Sequence, residues 1–239
     1  MRPDGSDRQS AESRAVGLIT ELDNLKRTGS NLLIVGKSRH TAHPKACTSL
    51  LGSDDAGPRH RLFVTVDPTT IVENRLKYTA SERVDSSLGV IKYTQLARGS
   101  AVTSAQEQSL TRPSKREAYA EDIGAVGIEL SEQIAQIEAA HGRLAPAALR
   151  VCIDSVIPLF ESYDQEIVFR FLRLVTDRIR SVHGMGHVHI QTDRDARYVK
   201  LIEPLFDAVI ELKQENGSVY QQWDLRESGL STDWLEVSE

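Results

Sequence analysis

The chain has 239 residues, 40% of them hydrophobic and 26% charged, with a formal net charge of −5 at pH 7. That composition fits one large folded domain with appendages, and the acidic balance argues against non-specific nucleic-acid binding. No apolar run is long enough for a membrane span and residues 1–14 carry no apolar signal core, so a cytoplasmic location is expected.

Residues 1–14 read as a disordered tail, 15–226 as the folded domain and 227–239 as a second tail without strong pattern. The domain opens with a helix. Ala15, Leu18, Ile19, Leu22 and Leu25 recur at helical spacing, and Gly29 after Lys26-Arg27 is its stop. Asn31-Leu32-Leu33-Ile34-Val35-Gly36 is a strand running into a polar loop. Pro44 suits the first turn of a helix that continues to Leu51. Arg61-Leu62-Phe63-Val64-Thr65-Val66-Asp67 is the next strand and ends in an acid. A short helix over 71–78 and a strand over 88–93 follow. Residues 97–120 are polar and read as a long surface excursion.

A helix is predicted over 122–140, with Ile123, Val126, Leu130, Ile134 and Ile137 on one face. The central strand Val151-Cys152-Ile153 comes next and ends in Asp154-Ser155. Because Cys152 falls in this core strand, no structural disulfide with Cys47, the other cysteine, is expected. A long helix over 164–182 has an Arg-rich polar side. His187 to Thr192 form a strand followed by Asp193. A helix over 196–205 leads into a hairpin, 208–213 and 219–225, whose Asn216-Gly217 signals a type I′ turn. Strands alternating with helices imply an α/β fold with a mostly parallel sheet and right-handed crossovers, closed by a C-terminal antiparallel hairpin.

Asp154 and Ser155 stand at the carboxyl end of a central strand, where open α/β sheets place their ligands. An acid there commonly orients Mg²⁺ or a water beside a nucleotide phosphate. The first strand and its loop invite comparison with the phosphate-binding loop G-x-x-x-x-G-K-[ST]. Gly36 matches the first glycine. Thr41, Ala42 and His43 stand where the second glycine, the lysine and the hydroxyl belong. Lys37-Ser38 supplies a lysine and a hydroxyl, but directly after the strand, too early for the helix entrance.

In this order of parts the chain resembles the RecA/KaiC-like branch of the P-loop ATPase fold. The strand–loop–helix over 32–51, the strand ending in Asp154-Ser155 and the distal half over 186–213 carry the resemblance. It is nearest to small KaiC-like proteins of unknown function from salt-loving archaea. The resemblance implies a RecA-like three-layer sandwich with a relic nucleotide site at Gly36, Lys37, Ser38, Thr41 and Asp154, the last being the one candidate for Mg²⁺. It implies a regulatory, signalling or scaffold role with a protein partner or as a homo-oligomer. The missing glycine–lysine–hydroxyl triplet removes the charge that phosphoryl transfer needs. Asp67, followed by Pro68-Thr69, replaces a pair of acids that would activate water. A non-hydrolysing domain without bound ATP or Mg²⁺ is therefore expected, with no catalytic residues. Asp154 would then hold Ser155 or the loop after Gly36 by hydrogen bonds. The alternative is an ATP-binding protein or slow ATPase in which Lys37 or Lys45 replaces the missing lysine. Neither membrane nor nucleic acid is an expected partner.

His187 and His189 share one face of their strand, which suits a metal ion, and Asp193 is the one further ligand in reach along the sequence. With no nearby cysteine to complete a site, two ordinary polar strand residues are the preferred reading. Arg59-His60-Arg61 reads as a solvated strand entrance.

Overall fold

A computed structural model describes residues 5–37, 42–54, 57–70, 72, 86–94 and 115–237. The predicted helix at 71–78 and the polar stretch 97–114 lie outside these residues, apart from Val72. In chain order the elements are α1 (Gly5–Thr28), β1 (Ser30–Val35), α2 (Ala42–Leu51), β2 (His60–Thr65), β3 (Ser87–Tyr93), β4 (Lys115–Ala120) and α3 (Ile123–His141). Then follow β5 (Leu149–Ile153), α4 (Ile157–Ser162), α5 (Gln165–Ser181), β6 (Met185–Ile190), α6 (Arg197–Ile202), a 3₁₀ turn (Glu203–Leu205), β7 (Ala208–Glu215), β8 (Ser218–Leu225), β9 (Leu230–Ser231) and β10 (Leu235–Glu236).

One ten-stranded sheet runs β10-β8-β7-β1-β6-β5-β2-β3-β4, with β9 also on β8. All pairings from β7 through β4 are parallel, and β8, β9 and β10 are antiparallel additions. The result is a three-layer α/β sandwich. The central strands read as unbroken apolar runs because both their faces are covered. Leu33, Val35, Val151, Ile153 and Val188 point at Val126, Leu130 and Ile134 of α3 and Val168, Leu172 and Val175 of α5. Leu32, Ile34 and Ile210 point the other way, at Leu22 and Leu25 of α1 and Ala42 and Ala46 of α2. Each fully buried Leu, Ile or Val contributes about 1.5–3 kcal/mol, which is why this pattern governs strand placement.

Helix ends follow local chemistry. Asp122 caps α3, its side chain accepting from the Ala125 N–H at 2.7 Å. The β7–β8 turn has positive φ at both Asn216 (51°) and Gly217 (86°), as a type I′ turn requires. Its first strand does double duty, because β7 also pairs in parallel with β1.

Three expectations fail. The first helix starts at Gly5, so the stretch 1–14 is not wholly a disordered tail. Lys115–Ala120, read as part of a surface excursion, is strand β4 at the sheet edge, where Ala120 is buried and Tyr119 is 65% exposed. An edge strand needs only one covered face, so its polar composition hides it. The C-terminal stretch 227–239 is no free tail, since Leu235 and Glu236 pair with Gln221 and Tyr220. Among the described residues, no helix is long and apolar enough to cross a membrane.

Candidate functional site

The chain leaves β1 over the face covered by α1 and α2, and leaves β5 and β6 over the opposite face. Neighbouring strands therefore part company at their carboxyl ends, the place where α/β sheets form a ligand crevice. The residues singled out in the sequence do gather there. Gly36 adopts φ +143°, and a Cβ on it would lie 2.5 Å from the Leu212 carbonyl oxygen of β7. Its N–H donates to the Thr192 carbonyl at 3.0 Å, joining the loops after β1 and β6. Lys37 reaches across to Asp193 at 2.7 Å. The hydrogen bond to that carboxylate, helped by its charge, raises the lysine pKa. Ser38 and Thr41 lie outside the described residues.

Asp154 is fully buried. Its Oδ1 accepts from the Val66 N–H at 2.7 Å and more weakly from the Asp67 N–H at 3.4 Å. The carboxylate thus fastens the end of β2. Ser155 donates to Gln191 Oε1 at 2.7 Å, and Gln191 Nε2 donates back to the Asp154 carbonyl at 2.9 Å. Asp67 folds onto its own turn, accepting from the Thr69 N–H at 2.9 Å and hydroxyl at 2.6 Å.

His43, at the position where a phosphate loop carries its hydroxyl, is fully buried beneath the start of α2. Its Nε2 lies 2.8 Å from the Gly36 carbonyl oxygen, and its Nδ1 lies 2.8 Å from His189 Nδ1. A carbonyl only accepts, so His43 Nε2 carries the hydrogen. In a neutral ring its Nδ1 then accepts, and His189 Nδ1 must be the donor. A neutral His189 is thereby left with its lone pair on Nε2.

Beside this relay lies a second group. Cys152 of β5 stands in register with His187 of β6, and His189 follows two residues on, so all three side chains leave the same face of the sheet. Cys47 descends onto them from α2. The two sulfurs are 3.2 Å apart, and His187 Nε2 is 3.3 Å from Cys47 Sγ. The two cysteines are not joined in a disulfide. Ligand atoms of Cys47, Cys152, His187 and His189 all lie within 4.8 Å of one another. Burial alone would push the Cys47 thiol up, but the hydrogen bond from Cys152, with the charge and hydrogen bond of His187, holds it well below the usual thiol range.

The expectation of two ordinary polar strand histidines fails here, because His187 and His189 are 2% and 0% exposed. The expectation that no cysteine joins them fails too. Asp193, the ligand suggested by sequence, belongs to the surface pair with Lys37. Only the H-x-H spacing carried any signal for this group. Its cysteines arrive from a helix and a strand 105 residues apart.

At the opposite end of the sheet, Arg59-His60-Arg61 is not a solvated entrance. His60 and Arg61 are each 3% exposed. Arg61 pairs with Asp54 at 2.8 Å and donates to the Gly52 carbonyl. Arg150 donates to the carbonyls of Ala147 and Leu50. Burial, with Arg59 and Arg61 alongside, pushes its pKa down to about 10.

Fold and site together define a three-layer α/β protein with a buried Cys/His group between its central sheet and helix α2. The chain belongs to a family of unknown function, DUF7504, whose model matches residues 29–212. That span contains Gly36, His43, Asp154 and all four members of the Cys/His group. No curated protein matches the chain.

Proposed function

We propose that this protein is a non-hydrolysing relative of the RecA/KaiC-like domains that acts in the cytoplasm through a protein partner or its own copies, in a regulatory or signalling role. The observation that carries this reading is His43. A phosphate-binding loop must keep its backbone N–H groups and its hydroxyl open to the ligand. Here the corresponding side chain turns inward and closes on the Gly36 carbonyl. Two further groups among the described residues are also engaged. Lys37 is held by Asp193, and the Asp154 carboxylate is fastened to the backbone of β2. A partner surface is favoured by the outer layer of helices, where Ile128 of α3 and Leu174 of α5 are 63% and 71% exposed.

The test is thermal unfolding of the full chain with and without Mg²⁺-ATP, alongside phosphate release. A ligand that binds only the folded state raises apparent stability by mass action. No shift and no turnover are expected. Saturable stabilisation, or turnover on the order of 1 s⁻¹ that Asp154→Ala abolishes, overturns this reading and favours the ATP-binding alternative through Lys37 or Lys45. The partner surface is tested by light scattering of wild type and the Ile128→Glu/Leu174→Glu double variant. Loss of a homo-oligomer in the variant assigns the contact to this layer.

A further inference from the structure

We propose that Cys47, Cys152, His187 and His189 form a tetrahedral site for one Zn²⁺ ion, which ties helix α2 to the centre of the sheet. This goes beyond the reading of the crevice and does not depend on it, since no nucleotide is involved.

The first argument is the donor set. Two sulfurs and two imidazole nitrogens are a common complement of structural zinc sites. At Zn–S of about 2.3 Å and Zn–N near 2.0 Å, tetrahedral ligand atoms stand about 3.3–3.8 Å apart. The His187–Cys47 pair at 3.3 Å is within a few tenths of an ångström of the tetrahedral sulfur–nitrogen spacing of about 3.5 Å, and the sulfurs at 3.2 Å need to part by about half an ångström to reach the sulfur–sulfur spacing of about 3.8 Å. They are also far beyond a disulfide bond of about 2.05 Å.

The second argument is charge. All four ligands are at most 2% exposed, in the layer between Leu32, Ile34 and Phe63 of the sheet and helix α2. Two thiolates and one Zn²⁺ sum to zero. That is the charge a fully desolvated site tolerates, whereas an isolated buried ion is costly.

The third argument is the outer relay. Metal-bound histidines usually donate their second ring N–H to a fixed acceptor, which sets the tautomer. The Gly36 carbonyl orders His43, and His43 orders His189 so that Nε2 offers its lone pair. His43 is thus a positioning residue, not a ligand.

The experiment uses the full chain, expressed without added chelator and purified under reducing conditions, with metal content measured by elemental analysis. A second preparation is expressed in medium supplemented with Co²⁺. About one ion per chain is expected. The Co²⁺ form should show thiolate-to-metal charge transfer in the near ultraviolet and the intense visible bands of a tetrahedral centre. Both signals should vanish in Cys47→Ser/Cys152→Ser and survive in Asp193→Asn. His43→Phe should keep the tetrahedral spectrum but weaken zinc affinity about 10–100-fold, read by chelator competition. Trace metal in the folded wild type together with no Co²⁺ spectrum overturns the proposal, and needs no variant. An octahedral spectrum, full metal content in the double cysteine variant, or a Cys47–Cys152 disulfide in the reduced preparation overturns it equally.

Discussion

Replacing Gly36 with alanine separates a backbone role from a ligand role. At φ +143° an L-residue is strained by about 1–3 kcal/mol wherever it stands. At Gly36 the new methyl also meets the Leu212 carbonyl oxygen at 2.5 Å and Leu212 Cβ at 3.1 Å. The nearer obstacle is backbone of the neighbouring strand, so relief requires β1 and β7 to separate where Val35 pairs with Glu211. Overpacking of this kind costs about 1–3 kcal/mol. The reduced freedom of the unfolded alanine chain returns about 0.4–1 kcal/mol. Gly36→Ala should therefore destabilise by about 1–5.5 kcal/mol, a large share of the roughly 5–15 kcal/mol typical of a domain. Gly57 is the control, with φ +136° and nothing within 4 Å of the point a Cβ would occupy. Gly57→Ala should show the strain without the collision. The assay is urea unfolding, comparing midpoints at unchanged m. Equal losses in the two variants, or a loss at Gly36 below about 1 kcal/mol, would refute the packing argument.

Asp154→Ala strips the buried Val66 N–H of its acceptor and should cost about 1–3 kcal/mol in the same assay, while Asp154→Asn keeps an acceptor oxygen and should cost less. Equal losses for the two would show that the negative charge itself matters. Asp54→Ala leaves Arg61 buried without its carboxylate, next to Arg59 and Arg150, and should cost about 3–5 kcal/mol by urea midpoint. Arg170→Ala, which removes an exposed pair with Glu166 on α5, should change stability by less than about 0.5 kcal/mol.

Periodicity made the fold legible. Ile123, Val126, Leu130 and Ile134 mark the buried side of α3 in the sequence as they do in space. Continuous runs such as Leu32 to Val35 declare strands covered on both faces. β4 escaped because Lys115-Arg116-Glu117-Ala118-Tyr119-Ala120 is neither continuous nor strictly alternating. The site was legible only where its members are local. Gly36 and Lys37 were visible because they follow a strand, and Asp154 because it ends one. The Cys/His group depends on β5 lying beside β6 and on α2 crossing above both. No spacing along the chain encodes that crossing. The burial of Arg61 was hidden although its partner Asp54 stands in the loop leading into β2, because an acid and an arginine seven residues apart carry no sign of burial in their spacing.

The two-residue strands β9 and β10 have a consequence for self-association. A wide sheet ends in rows of unpaired backbone groups that can recruit another chain and grow without limit. On one side, β8 is that exposed rail, and the chain lays two short pieces of itself on it, Leu230–Ser231 and Leu235–Glu236. Neither piece is long enough to template a further strand. On the other side, the last of the described strands, β4, has the sequence Lys115-Arg116-Glu117 in its first half, a charged run that suits an edge and resists flat fibrillar stacking. Polymerisation is discouraged at both ends by opposite means. Deleting residues 229–237 should therefore leave a chain that folds but forms aggregates nucleated at β8, visible by light scattering.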